Sequence, residues 1–575
     1  MRYFWLSGLL SLVTGACTSL AERPGVAPVR IRWEHDPQSL DPMALPTQHT
    51  VDATNLLHLG LLQVDFQTKR FAPALAETLP QVSLVGDSLT RLTYRLRPAA
   101  TWDDGHPVLA ADVACTLKMM RSPGLPNEVV RAQLSFIQAL EPDPADPRRF
   151  TLVCRGQAPE YALEASDFAV LPEATLDPEH RLRPFKLAEL ATAPVAVSAL
   201  QALAQRYRQA DPAHHPERLP GCGPYRLTSW QPNRSLVFQR KDHWWADQLR
   251  PAPLVLQATS TQLQYSILPD EASATLALRR HEIDLYPQMA ASSFQRLQAT
   301  DAERHEFTFH TTASHDLVTV GFNTQLPLLH DKCTRQALSY LLDPAGLLAG
   351  TQRGQGRRTV GLLPPDSPFY NDSLLLLSYA PARATELLRQ AGWQQTATGW
   401  QRRVTGSVQQ LKLTVRYRAD EPTFATVALQ LRTAAAALGI PVELAPTEQA
   451  LLTPMLRQGN YEVYVRTLRG NPFGYNFAPI LHSRGVGKGN LTRFSSPATD
   501  RLLDAITAAG PARKRQLLRR FQAAIQDETP LVPLFFLSYR LVADRHLGHL
   551  LPTGLKPGFA ATTLTWDGAL AAPTR

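Results

Sequence analysis

The sequence predicts an α/β protein of more than one structural unit, on three observations: its length, a strand–helix–strand run in its second half, and the lack of a linker between units. At 575 residues the chain exceeds what one compact core organises, and ordinary domain sizes suggest two to four units. Leu411, Leu413, Val415 and Tyr417 alternate as a strand. A helix follows from about Thr423 to Leu438, closed by Gly439, and a second strand covers Val442 to Leu444. Connections this short imply a right-handed parallel crossover. No internal repeat or long low-complexity segment interrupts the chain, so strands are expected to pass between the units and join them.

The remaining elements follow in order. Val29 to Trp33 alternates like a first strand. Residues 91–97 form a half-buried strand after the Gly86-Asp87 turn, with Leu92, Tyr94 and Leu96 on one side and Thr93, Arg95 and Arg97 on the other. Leu109 to Met120 puts Val113, Leu117 and Met120 on one helical face. Residues 121–220 are proline-rich, with a strand at Phe150 to Cys154 and a helix without strong caps at about Ala196 to Ala210. Arg226 to Arg240 reads as a hairpin turning at Pro232-Asn233. Pro381 to Ala391 is a helix whose apolar stripe is Ala384, Leu387, Leu388 and Ala391. Leu531 to Val542 is apolar, but it is short and carries Pro533 and Arg540, so it reads as a buried strand rather than a membrane span.

Composition narrows the class. Hydrophobic residues make up 44% and charged residues 19%, the balance of a soluble globular protein. The net charge of +9 would suit nucleic acid only if clustered, and it is scattered. Its densest group, Arg513-Lys514-Arg515 with Arg519-Arg520, has the spacing of a solvated helix face. The N-terminus reads as an export signal: Arg2, an apolar run from Tyr3 to Val13, then Thr14-Gly15-Ala16-Cys17. Small residues directly before a cysteine resemble a bacterial lipobox, with Thr14 where Leu is usual. Cys17 would then be acylated, residues 1–16 removed, and residues 17–28 would tether the protein to a membrane surface. An ordinary secretion signal is the alternative. Cys115, Cys154, Cys222 and Cys333 form no C-x-x-C, which leaves disulfides and free buried thiols both open, Cys115 and Cys154 being the pair within one unit.

Catalytic and metal signatures are missing. His305 to His310 mimics a zinc-protease motif, but its histidines are five apart where a helix needs four, and the segment alternates like a strand. Gly485 to Gly489 lacks the spacing and hydroxyl of a P-loop, and there is no G-x-S-x-G elbow. No metal, cofactor or catalytic residue is expected.

A series of short motifs runs through nearly the whole chain in order. It includes Leu40-Asp41-Pro42, then Phe71 to Glu77, then Tyr94-Arg95-Leu96-Arg97 with Thr101-Trp102-Asp103-Asp104-Gly105. Gly221-Cys222-Gly223-Pro224-Tyr225, Asp242-His243-Trp244-Trp245 and Glu282-Ile283-Asp284 follow. Phe322-Asn323-Thr324, Arg335-Gln336-Ala337-Leu338, Ala384 to Gly392 and Pro530 to Leu534 complete it. In this order the motifs resemble the peptide-and-nickel family of ABC-importer solute-binding proteins, the oligopeptide- and dipeptide-binding type. Trp102, Asp104-Gly105 and Arg335 read as structural within that pattern.

The resemblance implies a two-lobed periplasmic-binding-protein fold of the type II-like, large peptide-binding kind, with a hinged cleft between the lobes. Lobe I would comprise residues 29–315 and 537–575, with a subdomain at about 57–215, and lobe II residues 316–536. The implied function is capture of a peptide or peptide-like solute and its delivery to a membrane permease with its ATPase, by a monomer and without catalysis. A nickel complex, an opine or an oligosaccharide is the alternative ligand; a secreted hydrolase or an envelope chaperone is the alternative class.

A peptide would lie extended against a strand edge, which corresponds here to Tyr461 to Leu468, followed by Arg469 to Tyr475. Tyr464, Arg466, Leu468, Arg469, Gly470, Asn471, Phe473 and Tyr475 are thereby nominated as ligand contacts, with Gln48 and His49 from the early segment. Oligopeptide- and dipeptide-binding relatives carry an Asp a few residues before the equivalent of Pro472, paired with the peptide ammonium. Here that position is Leu468, between Arg466 and Arg469. A leucine cannot offset a buried ammonium, whereas Arg469 could grip a carboxylate.

Overall fold

The computed structural model describes residues 27–566 except 45–46, 87, 157–160, 191–196, 405 and 471. The expected signal peptide, Cys17 and most of the tether lie outside the described residues, as does Asn471.

One large mixed sheet organises the chain. From one edge to the other its order is Val442–Thr447, Leu413–Arg418, Val463–Arg469, Phe307–Phe322, Leu531–Asp544, Leu285–Tyr286, Val29–Trp33, Gln262–Ile267, Ser235–Arg240 and Tyr225–Gln231. The expected crossover is present: Leu413–Arg418 and Val442–Thr447 pair in parallel, joined by the helix Pro422–Ala437, with Gly439 at a φ of +75° just past its end. Val29–Trp33 is flanked by parallel partners and buried on both faces, which explains its run of apolar and shielded residues.

The two longest strands hold the sheet together. Phe307–Phe322 and Leu531–Asp544 pair antiparallel over most of their lengths, and their two ends serve different cores. Phe307 and Val542 pack with Phe294 and Tyr286, whereas Val318, Val320, Val532 and Phe535 pack with Leu338, Val415 and Leu431. The molecule is two-lobed, and these strands form its waist. Their ladder breaks between Ala313 and Leu317, where Ser314, His315 and Asp316 face a single residue, Leu537. Ser314 Oγ donates to the Leu537 carbonyl at 2.7 Å, closing the bulge.

Within lobe I a separate antiparallel sheet runs Gln81–Val85, Leu89–Arg95, Arg149–Arg155, Ile137–Pro142. Leu92, Tyr94 and Leu96 are buried as their alternation requires, and Trp102 is a buried plug. Asp41 is held inside by the Tyr207 hydroxyl at 2.6 Å and the Met43 amide at 2.8 Å, so Leu40-Asp41-Pro42 is a structural corner.

Two local expectations need correction, and one open alternative is settled. Asp301–Glu306 is a short helix, so His305 and Glu306 sit in its last turn and the strand begins only at Phe307. Lys514 is 4% exposed, so the basic helix Pro511–Glu528 is not uniformly solvated. All four described cysteines are free, and Cys115, Cys154 and Cys222 are buried among apolar side chains, where burial raises their thiol pKa and keeps them protonated.

Candidate functional site

A cavity of about 460 Å³ lies beside the bulge of the waist, within the range of small-ligand pockets. One wall is the helix Gln48–Leu57. Thr47 caps it by accepting from the Thr50 amide at 3.2 Å, and residues 48, 51, 52 and 55, which share one helical face, present Gln48, Val51, Asp52 and Asn55 to the cavity. His315 and Asp316 come from the bulge, and Tyr539 from the partner strand. Arg469, Gly470 and Phe473 come from the end of Val463–Arg469 and the turn after it. The loop Gly554–Pro557 closes the floor. Phe71 and Phe473 meet edge to face at 4.7 Å, joining the two lobes by an aromatic contact.

The charges fall into a paired set and an unpaired set. Asp316 is satisfied: Lys556 Nζ lies 2.9 Å and Tyr539 Oη 3.0 Å from its Oδ2. Burial lowers the Lys556 pKa, and Asp316 opposes that shift. Asp52 is different. Its Oδ1 accepts from Gln48 Nε2 at 2.9 Å, but no cation among the described residues pairs with it. Burial pushes its pKa up to about 7, and Lys556 and Arg469 hold it down only in part. Arg469 stands opposite Asp316 in the strand register, and its guanidinium makes no hydrogen bond or ion pair with a described residue. The cavity wall therefore carries a carboxylate, Asp52, and a guanidinium, Arg469, that no described residue pairs, with Asp167 a further unpaired carboxylate at its rim.

Only some of the residues nominated from sequence meet at this cavity. Gln48, Arg469, Gly470 and Phe473 line it. Tyr464, Arg466 and Leu468 do not, because alternation along Val463–Arg469 turns them to the face opposite Arg469. Tyr464 is 2% exposed, packed with Tyr461 and Leu491, and its ring fills the space a side chain at Gly321 would need. Leu468 pairs with Leu317 and packs with the core around Phe521, and Tyr475 contacts Phe369 at 4.7 Å in that same region. His49 stacks on Trp33 at 4.9 Å rather than facing the cavity, and burial with nearby His35 and Arg32 lowers its pKa to about 4. Sequence reasoning missed Asp52, Asp316, Lys556 and Tyr539. The i, i+4 spacing of Gln48 and Asp52 after the Thr47 cap was the one local signal. The Asp316–Lys556 pair joins residues far apart in sequence and left none.

Residues 70–487 match the bacterial extracellular solute-binding proteins, family 5, middle region. The chain belongs to this family. Among its relatives, Protein XP55 of Streptomyces lividans is 24% identical over 474 residues, covering 82% of this chain and 76% of that protein. The oligopeptide-binding protein of Thermus thermophilus, solved with a pentapeptide, superposes with a TM-score of 0.75 at 17% identity, covering 94% of this chain and 97% of that one. NikA of Brucella suis, solved with Fe(III)-EDTA, gives 0.72 at 18% identity, covering 94% and 100%. The family's fold and the two-lobed architecture described above agree.

Proposed function

We propose that this family member is the extracytoplasmic capture component of an ABC importer. It takes a peptide or peptide-like solute into the cavity between its lobes and passes it unaltered to a membrane permease driven by a cytoplasmic ATPase. The observation that carries the reading is the position of the cavity: it opens beside the bulged waist and is walled by both lobes, so a ligand touching both walls favours the closed arrangement over the open one. Pentapeptide binding by the Thermus thermophilus neighbour favours a peptide-like ligand, although the Brucella suis neighbour holds a metal chelate. Acylation at Cys17 would keep the protein at the membrane face where the permease lies.

Native mass spectrometry of the protein purified from its own host is expected to show a co-purified solute of peptide mass. Incubation with peptide pools should raise the melting temperature, and the recovered peptides should be intact. Cleaved peptides would point to a hydrolase instead, and a bound chelate to a different ligand class.

A further inference from the structure

We infer that the cleft takes a short zwitterionic ligand in one orientation, its carboxylate on Arg469 of lobe II and its ammonium on Asp52 of lobe I. This rests on the capture reading above and names the ligand chemistry of the same cavity.

The argument is one of elimination among the charges that line the cavity. Asp316 and Lys556 neutralise each other at 2.9 Å. Asp65 is engaged in its own turn, accepting from the amides of Gln67 at 2.8 Å and Thr68 at 3.1 Å. Asp167 lies at the rim with an exposed surface, although its surroundings desolvate the carboxylate and raise its pKa; the cavity cations Arg469 and Lys556 act on Asp52. Asp52 and Arg469 remain. They sense one another electrostatically, yet no ion pair links them, so neither cancels the other.

Asp52 is half-buried and desolvated, so its unpaired carboxylate is costly until a cation arrives, whereas Arg469 is exposed at the cavity and free to take an anion. A single zwitterion satisfies both at once. Arg469 offers the planar fork that grips a carboxylate in bidentate fashion. An extended chain advances roughly 3.5 Å per residue, so the ends of a di- or tripeptide lie about 6–10 Å apart, a span suited to two opposed walls. Leu468 faces the other side of its strand and brings no charge to the cavity. Asp52, on the opposite wall, is then the carboxylate placed to meet an ammonium, and the ligand's polarity follows.

The test is titration calorimetry at pH 7.5 with dialanine and trialanine, each compared with its N-acetyl and C-amide forms. The free peptides are expected to bind at least tenfold more tightly than either blocked form. Arg469→Gln should abolish the penalty for amidation while keeping the penalty for acetylation, and Asp52→Asn should do the reverse. Asp167→Asn should leave the penalties for acetylation and amidation in place. The charged and titratable groups around Asp52 are Arg469, Lys556, Tyr265 and Tyr539, with His315 on the bulge, where burial lowers the imidazole pKa and favours its neutral form. As pH drops from about 7.5 to about 5.5 a protonating Asp52 loses its hold on the ammonium, so wild-type affinity should fall roughly tenfold to thirtyfold, and Asp52→Asn should be flat. If blocked and free peptides bind equally, or if Asp167→Asn rather than Asp52→Asn removes the preference, the inference is overturned while the capture reading stands. If none of the six probes binds, the peptide-capture reading falls with it.

Discussion

Gly554→Ala is expected to destabilise the protein by about 2–4 kcal/mol and to weaken ligand capture at the same time. A Cβ at this position would lie 1.8 Å from the Ala313 carbonyl oxygen and 2.8 Å from its carbon. Both obstacles are backbone atoms of a waist strand, paired by Ala313 with Ser538, so neither can swing aside as a side-chain tip would. The loop must back away instead. That loop carries Lys556, whose ammonium neutralises Asp316, and Leu555, which lines the cavity. Withdrawing it exposes a buried carboxylate to imperfect pairing and reshapes the floor of the site. Equilibrium urea unfolding measures the first effect and calorimetry with trialanine the second. An alanine variant as stable as the parent would mean that the loop and waist strand are not in close contact.

Arg335→Met should cost more, about 3–5 kcal/mol, and should do so in lobe II alone. Arg335 is 2% exposed on the helix Lys332–Ser339. Its Nη1 donates to the carbonyls of Leu329 at 2.8 Å and His330 at 2.7 Å, and its Nε to that of Thr529 at 3.1 Å. It thereby ties the segment before its helix to the end of the helix Pro511–Glu528, just ahead of a waist strand. Methionine approximates its volume but leaves those buried carbonyls without donors. Hydrogen exchange is expected to rise first around residues 326–342 and 525–532, with lobe I unchanged. A loss below about 1 kcal/mol would show that the carbonyls find other donors.

Much of the fold was legible in the sequence because it rests on periodicity. The strands Val29–Trp33 and Leu413–Arg418, the hairpin at Asn233, and the helices Pro381–Gln390 and Pro422–Ala437 all stand where alternation, caps and turn residues put them. The start of the first waist strand was misread because His305 and Glu306 fit either a last helical turn or a first strand residue. The basic run at residues 513–520 looked solvated on spacing alone, and burial of Lys514 depends on neighbours distant in sequence.

The site was legible only in part. The motif order led to the strand Val463–Arg469, and Arg469, Gly470 and Phe473, at its end and in the turn after it, line the cavity. Counting back to Leu468 gave a residue of the wrong parity, since adjacent positions on a strand face opposite sides. Asp52 could not be singled out from the other acids of lobe I without knowing which face of its helix meets lobe II. The pairing that silences Asp316 is likewise a property of the assembled waist.

Hinged capture is tested most directly by the distance between the lobes. Leu276 in lobe I and Leu429 in lobe II are exposed, at 47% and 42%, and accept spin labels as cysteines in a Cys333→Ser background. Double electron–electron resonance with and without saturating trialanine should then show the inter-lobe distance shorten and its distribution narrow on binding. Identical distributions in the two states, with calorimetry showing the peptide bound, would contradict a mechanism in which two lobes close on a solute about a two-stranded waist.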